Sequence, residues 1–173
     1  MACVSRGFDD LVVRLLTEAD APLLVAATRC ETNHSMWRPW PLGSFDLAGA
    51  RAALREWQGD KQSFGILSGD DLLGAVGVLR DGPDSAEVAY WVRPESRGQG
   101  VASYGLAVVT ERAHARIRRL WLEIEPANTA SRNLARRAGY RYERTLPRHC
   151  RYWHTDDPAA DEWHDCLIWT HEA

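Results

Sequence analysis

Three apolar segments in the middle of the chain are joined by connections too short to contain a helix. They cover residues 63–67, 72–79 and 87–92, and the turns between them are "SGD" and "DGPDS". Connections of this length join antiparallel strands as hairpins, whereas parallel strands need a crossover of a dozen or more residues. The pattern therefore predicts an antiparallel sheet in this part of the chain.

The segments on both sides of these strands show strand and helix patterns in turn. A capping-box pattern from Thr17 to Asp20 predicts a helix to about residue 32. The other predicted elements are strands over 11–16, 119–125, 140–146 and 165–170, and helices from Ser44 to about 58, over 100–116, and over 129–138 with Gly139 after it. We therefore expect the α/β (α+β) class, with a mixed, mostly antiparallel central sheet flanked by helices.

Length and composition indicate one ordinary globular domain. The chain has 173 residues, of which 45% are hydrophobic and 26% are charged, and we treat residues 1–173 as a single domain. No apolar run approaches the roughly 20 residues of a membrane helix, so no membrane partner is expected. The net charge of −3 argues against nucleic acid as the main ligand. Residues 1–10 show no secretory pattern, which makes the cytoplasm the expected compartment.

The cysteines show no metal-binding or redox spacing. They are Cys3, Cys30, Cys150 and Cys166, scattered along the sequence. Zinc and iron–sulfur sites usually show closely spaced pairs such as CxxC, so no metal site is expected. We expect reduced thiols in a reducing compartment.

Two glycines follow the third apolar segment and precede the helix predicted over 100–116. Gly98 and Gly100 can adopt backbone angles closed to other residues, and they let main-chain N–H groups approach an anion. The unpaired N–H groups and the dipole of the helix would face the same place, and Arg97 can add a charge. The stretch predicts a phosphate site, although such a glycine pair also occurs as a purely structural turn.

A dinucleotide such as NAD is the competing ligand. "GQGVAS" is similar to GxGxxG with Ser103 in the third glycine position, and Glu123 or Glu125 follows at roughly the ~20-residue spacing of a ribose-binding acid. That fingerprint belongs to a doubly wound parallel sheet, whereas hairpins precede it here, and Ser103 would stand where helix and strand pack closest. The sequence therefore disfavours NAD.

Two longer stretches carry a family resemblance. "AEVAYWVRPESRGQGVAS" and "RRLWLEIEPANTASRNLARRAGYRYE" resemble the core of the GNAT superfamily of acyl-CoA-dependent N-acetyltransferases, and the likeness covers nearly the whole chain. The most similar branch is the one that includes the ribosomal-protein N-terminal acetyltransferases. Tyr104 departs from the pattern, because many relatives in this branch carry glutamate there.

The resemblance implies acetyl-CoA as the cofactor. In this family the glycine turn holds the pyrophosphate, and the strand before it splays from its neighbour to admit the pantetheine arm. Main-chain groups of Val92 and its neighbours would hold the arm, and Asn128 with Ser131 matches a second cofactor segment. The pyrophosphate would be held by the backbone N–H groups of Arg97, Gly98, Gln99, Gly100, Val101 and Ala102.

Amide formation from a thioester needs a base for the amine, and the strand predicted over 119–125 carries two carboxylates. Glu123 and Glu125 alternate with apolar residues, so both lie on one face. The resemblance matches Glu123 to the acidic base of some ribosomal-protein alanine acetyltransferases. Glu125 is the weaker candidate and is expected to contact the acceptor. The structural alternative for Glu123 is an ion pair with a nearby arginine.

The departing thiolate needs a proton, and the tyrosine that supplies it in some family members is missing. Ala135 stands at the matched position, and Ser131 is the matched alternative. The structural alternative is that Asn128 or Ser131 only caps the following helix. His149 can replace a carboxylate that some relatives use as base, but the sequence shows no orienting partner. Cys150 has no evident activating base, so nucleophilic catalysis is disfavoured.

The loop over 33–44 lies in the region that walls the acceptor pocket of this superfamily. Trp37, Arg38 and Trp40 would suit a terminal peptide or a small amine carrying a carboxylate, while packing against the sheet explains the two tryptophans equally well. An α-amino group, with a pKa of ~7.7–8.0, demands less of a base than lysine at ~10.4. The expected acceptor is a primary amine, at a protein N-terminus or on a small molecule, acetylated by direct transfer in a ternary complex.

A second class of function stays open at this point. The same motifs fit a non-catalytic acyl-CoA-binding sensor or interaction module, because the tyrosine is missing and the base is ambiguous. Turnover separates the two classes. The sequence does not establish the oligomeric state, and a homodimer is compatible with it.

Overall fold

The computed structural model describes residues 10–29, 44–152 and 162–173. Strands and helices alternate along these ranges much as the sequence predicts. The elements are β1 Leu11–Leu15, α1 Ala21–Thr28, α2 Leu47–Glu56, β2 Lys61–Ser68, β3 Asp71–Arg80, β4 Ser85–Val92, α3 Val101–His114, β5 Arg119–Ile124, α4 Thr129–Arg137, β6 Arg141–Tyr152 and β7 Glu162–Glu172.

The strands form one seven-stranded sheet with the order β1-β2-β3-β4-β5-β7-β6. β1 to β4 are an antiparallel meander, and β4 pairs with β5 in parallel through the crossover helix α3. β7 then lies between β5 and β6 and is antiparallel to both. The predicted class, a mixed and mostly antiparallel sheet flanked by helices, is confirmed. β5 and β6 are therefore not neighbours in the sheet, although only α4 lies between them along the chain.

The two faces of the sheet bury different apolar side chains because successive residues of a strand point to opposite faces. One cluster packs α3 and α4 against the sheet, and it includes Ile66, Val76, Val88, Leu106, Val109, Leu120 and Leu134. The other packs α1 and α2, and it includes Leu16, Leu24, Ala50, Leu54, Leu72 and Ala75. Among the described residues, no helix combines the length and the apolar character that crossing a membrane requires.

Two helix boundaries differ from the sequence prediction. Thr17 precedes a 3-10 turn over Glu18–Asp20, and α1 follows it and ends at Thr28 instead of near residue 32. The Thr28 hydroxyl donates to the Leu24 carbonyl at 2.9 Å. The cap of α2 is Asp46 and not Ser44, because Asp46 Oδ1 accepts the Gly49 N–H at 2.6 Å. The end of α4 is as predicted, with Gly139 at a φ of 87°.

The β4–β5 pair determines where a ligand can enter the sheet. Their pairing covers only Ser85 to Glu87 on β4 and Arg119 to Trp121 on β5. Beyond it, β4 continues to Val92 and β5 to Ile124 without pairing to each other. The splay implied by the family resemblance is therefore present, and it leads from Glu87 to the glycine turn after β4.

Candidate active site

The turn between β4 and α3 has the geometry of an anion cradle. Gly98 and Gly100 have φ values of 72° and 82°, in the left-handed region that favours glycine. Gly100 is the N-cap of the 14-residue helix α3, and no side chain caps that end. A Cβ added to Gly98 would meet no atom within 4 Å. The first N–H groups of α3 have no intrahelical acceptor and lie at the positive end of the helix dipole.

The turn is held by its own side chains. The Arg97 N–H donates to the Pro94 carbonyl at 3.3 Å, and Arg97 Nε donates to the Val92 carbonyl at 2.9 Å. Gln99 Nε2 donates to the Glu95 carbonyl at 2.7 Å. The main-chain groups of Arg97 and Val92 that the sequence assigned to the cofactor thus already have partners within the protein, and Val101 is buried with 4% exposure.

These features fit coenzyme A. Main-chain N–H groups at a helix N-terminus suit a diphosphate. The backbone of this turn would be strained by a side chain at Gly98 or Gly100. The gap between β4 and β5 exposes strand edges on which an extended amide-containing arm can pair. The residues suited to hold the cofactor are therefore those from Gly98 to Ala102, together with the edge of β4 that faces β5 beyond Glu87.

Asn128 and Ser131 stand at the start of α4, directly after β5. Asn128 Oδ1 accepts the Ser131 N–H at 3.0 Å, so Asn128 is the N-cap and the capping interpretation is confirmed for it. Ser131 contributes its N–H to that cap, and its half-buried hydroxyl lies in the first turn. The cap fixes the position of Ser131 relative to the end of β5.

Tyr90 on β4 is a candidate that the sequence analysis missed. Burial raises the pKa of Tyr90, and the nearby Ser131 hydroxyl opposes that rise. Among the described residues, the buried Tyr90 hydroxyl has no partner within standard hydrogen-bond distance. The Ser131 hydroxyl is therefore near the Tyr90 hydroxyl but beyond standard hydrogen-bond distance from it. A buried hydroxyl without a partner is costly, and the alternation of "AEVAYWV" gave no sign that Tyr90 would be one.

Glu123 lies on β5, and its partner is a histidine and not an arginine. Its Oε1 is 3.0 Å from His149 Nε2. The side chain of Glu123 is 21% exposed and that of His149 is 52% exposed. The arginine ion pair expected as the structural alternative is thus wrong for the described residues, and His149 has the partner that the sequence could not show. Glu125 is half-buried just after β5, where its carbonyl accepts the Asn128 N–H at 2.9 Å.

Two cysteines complete the surroundings of Glu123. Cys150 on β6 and Cys166 on β7 form a disulfide pair, with 5.5 Å between their Cα atoms. The expectation of separate reduced thiols is therefore wrong for this pair. Both sulfurs lie 3.8 Å from Glu123 Oε2. The ligand-type atoms of these three residues lie within 4.8 Å of one another, but a disulfide bond withdraws both sulfurs from metal coordination.

A second carboxylate, Glu87, shares a face of the sheet with Glu123. Glu87 pairs with Trp121 across the β4–β5 ladder, and Glu123 follows Trp121 by two residues, so all three lie on one face. Burial, and then the charges of Glu123 and Asp81, raise the pKa of Glu87 to about 7. The sequence did not single out Glu87, because one acid in an apolar strand forms no motif. Its position between Ala86 and Val88 did indicate a carboxylate in a partly apolar environment.

Three predicted acceptor residues, Trp37, Arg38 and Trp40, lie outside the residues that the structure describes. Cys3 and Cys30 also lie outside them. Tyr104, the departure from the family pattern, has a structural contact, because its hydroxyl donates to the Leu11 carbonyl at 3.1 Å and so joins α3 to β1.

Comparison with known proteins agrees with this geometry. The acetyltransferase (GNAT) domain model matches residues 10–141. A RimL ribosomal L7/L12 alpha-N-protein acetyltransferase, solved in complex with coenzyme A in a disulfide with a cysteine, is 19% identical, with a TM-score of 0.77 and coverage of 94% of each chain. RimJ from Mycobacterium smegmatis, solved with a CoA disulfide, is 23% identical, with a TM-score of 0.73 and coverage of 94% of this chain and 82% of that one.

A third solved structure shows the same fold. The ribosomal-protein-S5-alanine acetyltransferase from Vibrio fischeri is 19% identical, with a TM-score of 0.74 and coverage of 98% of this chain and 97% of that one. No curated protein sequence matches the chain significantly. Since the domain model spans most of the chain and the glycine turn, the splayed strands and the acidic β5 are all present, the chain belongs to the GNAT acetyltransferase family, which transfers acetyl groups from acetyl-CoA to amines.

Proposed function

We propose that this enzyme acetylates an α-amino group, at a protein N-terminus or on a small primary amine, by direct transfer in a ternary complex. The observation that carries the proposal is the Glu123–His149 pair, 3.0 Å apart. Glu123 lies on β5, one of the two strands that border the gap. Two solved relatives are described as a ribosomal L7/L12 alpha-N-protein acetyltransferase and a ribosomal-protein-S5-alanine acetyltransferase.

Glu123 is the proposed base. A carboxylate that is 21% exposed can meet the amine or an intervening water, and His149 holds one of its oxygens in place. The Glu123 carboxylate attracts an ammonium group, and Glu87 on the same face adds to that negative field as the pH rises through about 7. An α-amino group has a pKa of about 7.7–8.0, so it demands less of its base than a lysine side chain does.

The proton for the leaving sulfur is assigned to the hydroxyls near the start of α4. Ser131 is half-buried there, and the buried Tyr90 hydroxyl lies near it. Ser131 would donate to the thiolate and Tyr90 would support Ser131, a role that another family pattern gives to one tyrosine. Ala135, at that matched position, is fully buried and supplies no polar group.

The cofactor would be held by the main chain from Gly98 to Ala102 and by the free edge of β4. Acetyl-CoA supplies the activated thioester when it is bound. The protein's own part is to exclude water from the gap, to orient the amine between Glu123 and the thioester, and to move one proton at each end. We also propose that the chain works as one domain in the cytoplasm and keep the homodimer as an untested expectation.

The test is the substitution Glu123→Gln. We expect kcat to fall by about 10²-fold or more, the usual contribution of a general base, with the affinity for acetyl-CoA nearly unchanged. Glu143→Gln is the matched control, because Glu143 is a β6 carboxylate paired with Arg119 on the sheet surface. Release of free thiol is measured over a panel of peptides and small amines. Wild-type turnover in Glu123→Gln removes Glu123 from the mechanism, and no turnover with any amine contradicts the proposed acceptor class.

A further inference from the structure

We propose that Cys150 and Cys166 are a redox modification site, which hydrogen peroxide converts from two thiols to a disulfide, and that this conversion changes the surroundings of Glu123. The redox chemistry of the pair is independent of the enzymatic reaction. Its effect on catalysis rests on the proposed role of Glu123 as base.

The two cysteines are placed for reversible bonding by neighbouring strands. β6 and β7 are antiparallel neighbours, and the Cα atoms of the pair are 5.5 Å apart. That separation is near the middle of the range that a disulfide spans without backbone movement. The thiol and disulfide forms can therefore both exist on the same backbone.

The pair contacts the carboxylate that the mechanism uses. Both sulfurs lie 3.8 Å from Glu123 Oε2, while His149 holds Oε1. In the reduced form, S–H groups are the donors beside Oε2, and a disulfide has none. Oxidation therefore removes the donors from one oxygen of Glu123 and leaves the other oxygen's partner in place.

A break in strand pairing gives the pair a route to small oxidants. Cys150 and Cys166 are 4% and 0% exposed, so access requires local opening. The β6–β7 register shifts between Leu146 and Cys150, and Arg148 within that stretch has a φ of 49°, unfavourable for a residue with a side chain. Strained, interrupted pairing beside Cys150 makes it the natural place to open.

The chemistry needs one peroxide for each disulfide. The Cys150 thiolate attacks one peroxide oxygen, the O–O bond breaks, hydroxide leaves and takes up a proton as water, and a sulfenic acid remains. Cys166 sulfur then attacks the sulfenic sulfur and expels its oxygen as a second water. The two thiols lose two electrons and two protons in total, and the peroxide is reduced to two waters.

Of the groups around Glu123, only the two sulfurs differ between the thiol form and the disulfide form. Glu87 faces it from β4, His149 from β6, and the two sulfurs from β6 and β7. Glu87 and His149 are the same in both forms. Since the S–H groups are hydrogen-bond donors to the Glu123 carboxylate in the thiol form alone, we expect the kcat–pH profiles of the two forms to differ on the acidic side.

The first experiment measures the redox chemistry itself. Cys3→Ser and Cys30→Ser are introduced so that the pair supplies all remaining thiols. Peroxide should produce a Cys150–Cys166 linked peptide that has lost two hydrogen atoms, and glutathione should restore both thiols. If no linked peptide forms, or if the link resists glutathione in the folded protein, the pair is not a reversible modification site and the proposal is overturned.

The second experiment measures the coupling to Glu123 without turnover. Glu123→Gln removes a negative charge beside both sulfurs, so thiolate forms more easily and peroxide oxidation should be several-fold faster. Glu143→Gln should leave that rate unchanged. Equal rates in Glu123→Gln and the parent overturn the coupling, whether or not the protein acetylates anything.

The third experiment compares kcat–pH profiles of the reduced and oxidised protein, with the double variant Cys150→Ala/Cys166→Ala as the control that has neither thiol of the pair. We expect the two profiles of the parent to differ on the acidic side while KM for acetyl-CoA stays the same, and peroxide to leave the profile of the double variant unchanged. Identical profiles of the two parent forms contradict the proposed control of Glu123. Absence of turnover in both forms counts against the proposed function, and the first two experiments still decide the redox site.

Discussion

At the scale of single residues, the site depends on carboxylates placed where solvent reaches them differently. Glu123 is partly exposed and held by His149, whereas burial raises the pKa of Glu87 to about 7. Glu87 is therefore partly protonated near neutral pH, on the same face as Glu123. Different environments for two acids are a common way to divide charge and proton transfer within a site.

Glu87 should make the stability of the protein depend on pH. Its pKa in the folded state is raised above the ordinary 4.5 to about 7, so the folded state holds the proton more tightly. The stabilisation is complete below pH 4.5 and is lost as the pH rises through 7, by at most about 3 kcal/mol. Glu87→Gln should lack this loss. Urea unfolding of both proteins at several pH values checks it. If the free energy of unfolding changes with pH equally in both proteins, the raised pKa of Glu87 is contradicted.

At the scale of elements, the start of α3 and the separated ends of β4 and β5 form the proposed cofactor site together. The turn supplies main-chain donors at the N-terminus of α3, and the gap begins where the β4–β5 ladder stops after Glu87 and Trp121. Neither element is a site alone. A short parallel ladder that opens toward a helix N-terminus makes the arrangement suitable for a long ligand with a phosphate at one end.

A matched pair of glycines separates cofactor binding from backbone strain. Gly98 and Gly59 have φ values of 72° and 73°, and an added Cβ would meet no atom within 4 Å at either position. Alanine should cost each variant about 1–2 kcal/mol of stability through the left-handed backbone. Gly98→Ala alone should weaken acetyl-CoA binding, by about tenfold, equal to about 1.4 kcal/mol. Calorimetric titration and thermal unfolding measure the two effects, and equal affinities in both variants would place the phosphate elsewhere.

At the scale of the whole molecule, β7 connects the end of the chain to the centre of the sheet. It lies between β5 and β6 and brings Cys166 to Glu123 and His171 to the end of α3. His171 Nδ1 lies 2.8 Å from His114 Nε2, and the ring of His171 also packs on Tyr140, with centroids 5.1 Å apart. The last strand therefore contacts both Glu123, the proposed base, and the end of α3.

The histidine pair should destabilise the protein in acid. Burial, and then the neighbouring His114, lower the pKa of His171 below its usual 6.5, so the unfolded state binds the proton more readily. The stabilisation is present above pH 6.5 and is lost as the pH falls through the lowered pKa, opposite in sign to the effect of Glu87. His171→Gln should lose less stability than the parent between pH 7 and pH 5. Thermal unfolding across that range checks it, and an equal loss in both proteins refutes the assignment.

The sequence alone determined the elements, the antiparallel start of the sheet, the glycine turn and the acid on β5. These are local properties, since hairpin length, apolar periodicity and the conformational freedom of Gly98 and Gly100 depend on near neighbours in the chain. The sequence also left open whether Glu123 pairs with an arginine and whether Asn128 caps a helix, and each of those questions needed only one contact to be resolved.

The tertiary structure decided what depends on strand order. Only the insertion of β7 between β5 and β6 brings Cys166, Cys150 and His149 around Glu123, although 16 residues separate the two cysteines and 26 separate Glu123 from His149. The burial of Glu87 and of the Tyr90 hydroxyl likewise follows from the packing on both faces of the sheet. No local pattern encodes these contacts, because the proximity of side chains on non-consecutive strands is a property of the assembled sheet.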